Sequence, residues 1–340
     1  MNDTFFSKRF DGIQVLRAVA AIIVLINHVA FVGNGGFGVD IFFCISGFIM
    51  MYVTEKSTKN FISKRIIRIF PLYYAITLVT FIGCYVFPGL FAGDGYGPVG
   101  LIKSLLFVPG EIGGIAKPIV RVGWTLNYEM FFYLILWCSM HISHKYRGVI
   151  AGVVMTVIVI IGKLFNNLPV PVEFWTDSIL IEFIFGIVAF WFVRWLTISE
   201  WYRKCGNKNI TRAACVVVAL ASFIFMWFVK YNEGLSDIER CIIYGIPAFI
   251  IFVGIFIATY ECKLPGIAVF LGDISYSIYL IHYSVVRLTN KLTCPDGIVN
   301  AKAIIGAIGA LVITLLMSVI SYYLIEKKLV AVLSKFIRRQ

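Results

Sequence analysis

The chain has 340 residues, 60% of them hydrophobic and only 14% charged, with a mean hydropathy of +0.90. Soluble domains carry about 25% charged and 45–50% apolar residues, so a soluble globular protein is excluded and an integral membrane protein is indicated. The net charge of +12 would point to nucleic acid in a soluble chain. Here the basic residues lie in short segments between apolar runs, as the positive-inside rule describes, and no nucleic-acid partner is expected.

A membrane-spanning helix needs about 20 mainly apolar residues. Ten runs qualify: 11–32, 37–54, 69–91, 123–140, 148–166, 176–197, 212–231, 240–260, 270–290 and 301–326. The expected fold is an all-α integral membrane protein, a bundle of about ten transmembrane helices in a single domain over 1–340. Lys8, Arg9, Lys56, Lys59, Lys64, Arg65, Arg68, Lys145, Arg147, Arg203, Lys204, Lys208, Arg212 and the terminal Lys327 to Arg339 cluster fall on one side. This places both termini in the cytoplasm of a multi-pass protein of a bacterial inner or plasma membrane, with membrane lipids around it. No appended soluble domain is expected. Residues 92–122, rich in Gly and Pro, read as a long outward loop whose apolar part "LIKSLLFVPG" is too short to span.

The first run opens with an Asp11-x-x-Gln14 capping box and reads as an uncleaved first helix. It carries Arg17 near the cytoplasmic end and His28 near the outer end. Ionisable residues inside a membrane are rare and usually functional. An eleven-residue step is three helical turns plus about 20°, so both side chains share one face, about 16 Å apart along the axis. The competing reading is a snorkelling arginine and a capping histidine. Gly33, Gly35 and Gly36 then make a tight turn into the second run, where Asp40 is expected at the depth of His28. A carboxylate there fixes the imidazole tautomer and raises its basicity; the alternative is that Asp40 caps the second helix. Ser46 and Gly47 read as a site of close helix packing.

In "SKRIIRIFPLYY", just before the third span, Arg65 and Arg68 are three apart and share a helix face. Guanidiniums give bidentate recognition of phosphates, although positive-inside charge alone also explains such a pair. "GWTLNYEMFFY" places Glu129 inside the fourth span, and "LGDISYSIYLIHYSVV" places His282 in the outer half of the ninth, with Tyr276 and Tyr279 below it. His28, Asp40, Glu129 and His282 thus map to the outer half, and Arg17, Arg65 and Arg68 to the inner half. The eight cysteines are scattered and form no CxxC pair, which argues against a disulfide framework and a zinc site. No metal and no permanently bound cofactor is expected.

Arg17-x10-His28, "GVDIFFCISGF", "RIIRIFPLYY", "WTLNYEMFFY", "SYSIYLIH" and "YYLIEKKL" occur in that order and resemble the membrane acyltransferase family 3. The resemblance is closest to its exopolysaccharide and O-antigen O-acetyltransferases and runs from residue 11 to about 330. Glu326-Lys327-Lys328 departs from the Glu-Lys-Pro common in that family. The resemblance implies an O-acyltransferase that passes an acyl group, usually acetyl, from cytoplasmic acyl-CoA to a sugar hydroxyl. The acceptor would be a surface glycan or its lipid-linked oligosaccharide precursor. It makes His28 the essential catalytic residue, Arg17 its signature partner, and Arg65 and Arg68 the arginines that hold the CoA phosphates. On that reading His28 is a general base oriented by Asp40 or Glu129, and acetyl-CoA is the donor. A proton-coupled transporter of a glycan-related or small anionic solute is the rival class, since buried His, Asp and Glu also suit a carrier. The sequence shows no internal repeat and no paired interrupted helices in its favour.

Overall fold

The computed structural model describes residues 9–87, 97–109, 117–165, 168–198, 208–229 and 237–338. Among the described residues the chain is helical, with no strand. The elements run α1 (Asp11–Asn27), α2 (Gly38–Thr54), α3 (Phe61–Val86), α4 (Pro98–Leu105), α5 (Trp124–Ile142), α6 (Arg147–Leu164), α7 (Val170–Trp175) and α8 (Leu180–Ile198). There follow α9 (Lys208–Phe228), α10 (Ile246–Thr259, entered through the π-helical turn Cys241–Gly245), α11 (Gly266–Asp273), α12 (Ser275–Thr293) and α13 (Ala301–Ser321). A π-helical stretch, Tyr322–Leu329, leads from α13 into α14 (Val330–Arg338).

Six of these segments are long and apolar enough to cross a membrane, or seven if α11 and α12, bent by 66°, count as one span. α1 and α2 are 17 residues each. At 1.5 Å per residue they reach about 26 Å, short of a hydrocarbon core of about 30 Å. They are the helices buried in the middle of the bundle, where protein and not lipid surrounds them. α2 lies against α8 along a glycine crossing: a β-carbon on Gly47 would meet the Phe183 carbonyl, and one on Gly186 the Cys44 carbonyl. The Gly47 reading therefore holds, because only two glycines let these backbones touch. The turn between α1 and α2 also forms as expected, with Gly33 at φ +57° and Gly35 at φ +123°, values that favour glycine.

Several local expectations are corrected. α1 ends at Asn27, five residues before the expected 32, and successive turns over 28–32 carry the chain to the left-handed Gly33. Its capping box does not form. Phe10 is the N-cap, without a side-chain cap bond, and Asp11 accepts instead from the Leu264 amide at 3.4 Å. α3 starts at Phe61, eight residues before the expected 69, so Arg65 and Arg68 sit within the helix and not ahead of it. The ninth expected span is interrupted between Asp273 and Ser275. Within the 92–122 loop, α4 folds back on α3, where Tyr73 and Tyr74 donate to the Ser104 and Leu105 carbonyls at 3.1 and 2.8 Å. Residues 92–96 and 110–116 of that loop lie outside the described residues, as do Lys8, Arg203, Lys204, Cys205 and Arg339. Among the described residues the other seven cysteines form no disulfide.

Candidate active site

Two polar groups lie inside the bundle, and their membership differs from the two-sided map read from the sequence. The first surrounds a cavity of about 100 Å³ between α1, α2, α3, α5 and α12. Arg17 reaches it from α1, Arg65 and Arg68 from α3, and Glu129 and Tyr133 from α5. The expected i, i+3 pairing of the α3 arginines puts both on the cavity face. Among the described residues none of the three guanidiniums is ion-paired. Among the described residues the Arg17 guanidinium donates to the Gln14 side chain, at 3.4 Å, and the Arg65 Nε is buried without a hydrogen-bond partner. Three cations converging away from bulk water repel one another, and an anion relieves that cost.

Glu129 belongs to this group and not to the outer one. α5 descends from Trp124, so a helical turn and a half carries the carboxylate down to the arginines. There Oε1 accepts from Ser46 Oγ at 3.2 Å and from the Tyr133 hydroxyl. Tyr133 is one turn after Glu129, a spacing legible in the sequence. A second carboxylate, Glu326 of the π-helical stretch, accepts from Ser277 Oγ and feels the charges of Arg68 and Arg17. The unexpected carboxylate here is thus the one in the "YYLIEKKL" segment.

The second group sits at the far end of α1. His28 caps the helix, with Nδ1 2.8 Å from the Val24 carbonyl. His282, fully buried, has Nδ1 3.1 Å from the Ile278 carbonyl, and its Nε2 lies 3.4 Å from His28 Nδ1. The ring centroids are 5.1 Å apart, and Tyr283 stands edge-on to His28 at 5.2 Å. A carbonyl only accepts, so each Nδ1 carries the hydrogen. The His28 Nδ1–H donates chiefly to the Val24 carbonyl, with His282 Nε2 a second, more distant acceptor at 3.4 Å, and His28 Nε2 is left as the basic nitrogen. Asn290 fixes this helix end by donating to the His28 carbonyl at 2.8 Å. Tyr279 separates the two groups. It lines the cavity, bonds Thr125 Oγ1 at 2.9 Å and packs 5.7 Å from the His282 ring.

Asp40 does not orient His28. It is buried in an ion triad, accepting from Arg240 at 2.9 Å, while the same guanidinium bonds Glu182. The α2 N-terminus has no side-chain cap bond, so the capping alternative fails as well. The full positive charge of Arg240, which ends the short helix Asp237–Arg240 just before the π-helical turn into α10, outcompetes a neutral imidazole for the carboxylate. A separate ion cluster, Glu55 with Arg147 and Arg194, ties the end of α2 to α6 and α8. No local pattern marks Glu182 or Arg240 as partners of Asp40, since they lie 142 and 200 residues away. Among the described residues no group of three His, Cys, Asp or Glu is arranged to hold a metal ion.

A family model described as an acyltransferase domain matches residues 10–323. The chain is 28% identical over 306 residues to the exopolysaccharide production protein ExoZ of Rhizobium meliloti, covering 87% of this chain and 89% of that one. It is 25% identical over 332 residues to the peptidoglycan O-acetyltransferase OatA of Listeria monocytogenes, covering 85% of this chain and 51%, about half, of that one. It is 24% identical over 334 residues to the acyltransferase MdmB of Streptomyces mycarofaciens, covering 84% and 81%. No solved structure matches. The family match takes in every helix from α1 to α13 and, apart from Glu326, both polar groups. The chain therefore belongs to the acyltransferase-domain family and is a membrane acyltransferase.

Proposed function

We propose that this protein moves an acyl group, acetyl first among them, from cytoplasmic acyl-CoA to a sugar hydroxyl of a surface polysaccharide or its lipid-linked precursor. The observation that carries the reading is the cavity lined by Arg17, Arg65 and Arg68, three cations without an ion pair among the described residues. Such a site suits a polyanion, and CoA is one. His28 Nε2 takes the proton of the acceptor hydroxyl. The oxygen attacks the thioester carbonyl, the C–S bond breaks, and the CoA thiolate leaves with that proton. His282 is the neutral partner that holds the His28 ring, in the place the sequence reading gave to a carboxylate. The acyl arm runs from the arginines past Tyr279 to His28.

The same reading takes the chain as one domain of ten spans with both termini in the cytoplasm. α1, α2 and α5 are then short or polar spans shielded by the other helices. This is tested on a cysteine-free background. Asp296→Cys, in the exposed turn after α12, should react with an impermeant thiol reagent from outside. Lys59→Cys, between α2 and α3, should react only after the membrane is opened. The reverse pattern overturns the orientation.

The chemistry is tested with purified protein in nanodiscs, radiolabelled acetyl-CoA and an acceptor polysaccharide. Wild type should transfer label, His28→Ala should not while still binding CoA, and Arg68→Ala should bind CoA roughly ten- to a hundredfold more weakly, the loss of one charge-assisted contact. Full specific activity of His28→Ala would sink the mechanism. Solute uptake by wild-type proteoliposomes without transfer would replace it with the carrier reading.

A further inference from the structure

The helix that carries His282 enters the bundle in two pieces. α11 and α12 meet at a 66° bend, where Gly272 lies so close to the Gln14 backbone of α1 that no β-carbon fits. The bend interrupts the helix, which restarts at Ser275. The first amides of α12 therefore lack intrahelical acceptors, and a helix of 19 residues presents the positive end of its dipole there. In membrane carriers, interrupted helices of this kind aim their N-termini at anionic groups.

Ser275 is the first residue of that helix. Its side chain is fully buried, lines the cavity with Arg17, Arg65 and Arg68, and its Oγ has no hydrogen-bond partner. Its neighbours are satisfied: the Tyr276 hydroxyl donates to the Ile69 carbonyl at 2.8 Å, and Ser277 Oγ to Glu326. The unpaired hydroxyl is thus particular to Ser275. Arg65 Nε on the same cavity is also buried and unpaired. The nearby carboxylates accept from other donors in the structure: Glu129 Oε1 from Ser46 and Tyr133, and Glu326 Oε1 from Ser277. Helix amides, a hydroxyl and guanidiniums on one cavity are the donor set of a phosphate site.

We propose that Ser275 Oγ–H and the first-turn amides of α12 hold a phosphate group of the acyl donor, together with the arginines of the cavity. The inference rests on reading that cavity as the donor site, and it makes Ser275 a binding residue. Ser275→Ala is the informative variant, because removing a hydroxyl that bonds nothing leaves no group newly unpaired. Affinities for CoA, and for pantetheine as a probe without phosphate, are measured in phosphatidylcholine nanodiscs for wild type, Ser275→Ala and Arg68→Ala. Ser275→Ala should weaken CoA about tenfold, one hydrogen bond to a charged group, and leave pantetheine unchanged. An unchanged CoA affinity in Ser275→Ala, with CoA still weakened in Arg68→Ala, overturns the Ser275 assignment and leaves the donor reading standing. Equal weakening of both probes makes Ser275 a packing residue and overturns it too. Unchanged CoA affinity in both variants overturns the donor reading itself. If Ser275 affects only the thermal stabilisation that phosphatidylglycerol nanodiscs confer, the anion is a lipid headgroup and the donor assignment is wrong.

Discussion

Replacing Arg240 by methionine tests whether Asp40 is a structural anion or a partner of the catalytic base. The guanidinium lies 2.9 Å from Asp40 Oδ1 and bonds Glu182 Oε1, with side chains 16%, 3% and 1% exposed. Removing one member of a buried ion cluster costs about 3–5 kcal/mol, because the remaining charge is left without compensation. Here two carboxylates are left facing each other, so the loss should reach at least about 3 kcal/mol. Removing all the charge at once, in Asp40→Asn with Glu182→Gln and Arg240→Met, should restore most of it, since apolar or neutral replacements of buried ion clusters are often near neutral. Purified protein is unfolded in increasing sodium dodecyl sulfate and followed by tryptophan fluorescence, and transfer activity is measured per folded molecule. Asp40→Asn should lower stability and keep specific activity. An inactive Asp40→Asn of unaltered stability would refute the reasoning and return Asp40 to His28.

Three further predictions concern separate parts of the molecule. His282→Leu should lower kcat about tenfold at unchanged CoA affinity, the worth of one orienting hydrogen bond; an unchanged kcat would show that the Val24 carbonyl alone orients His28. Burial pushes the Glu55 carboxyl up, but Arg147 and Arg194 outweigh it and hold it below the usual value of 4.5. A depressed carboxylate stabilises the fold fully above the unfolded value and loses that contribution as pH falls through the folded one. The stability gap between wild type and Glu55→Gln should therefore be constant near neutrality and close below about pH 4.5; a gap that persists in acid rejects the clamp. Gly186→Leu should destabilise by at least the roughly 1–3 kcal/mol typical of overpacking, because its side chain meets the Cys44 carbonyl and the Gly47 backbone, and a melting midpoint equal to wild type would deny that α2 and α8 touch there.

Hydropathy and spacing are local properties, and what they govern was legible. The helical, membrane-embedded class, the glycine turn at 33–36, the shared face of Arg65 and Arg68, and the close packing at Gly47 all follow from residues within a few positions of one another. The six ordered segments likewise carried the family before any geometry was known. What the sequence left open was which polar groups meet, because that depends on how each helix is rotated about its axis and which helix packs beside it. Asp40 found Arg240, 200 residues away, in place of His28. His28 met His282 across 254 residues, and Glu129 joined the arginines because α5 and α3 lie on the same cavity. The bend that restarts α12 at Ser275 has a local glycine, but its position is set by the Gln14 backbone of α1. A buried charge takes the strongest partner that tertiary packing brings within reach, and no one-dimensional pattern encodes that choice.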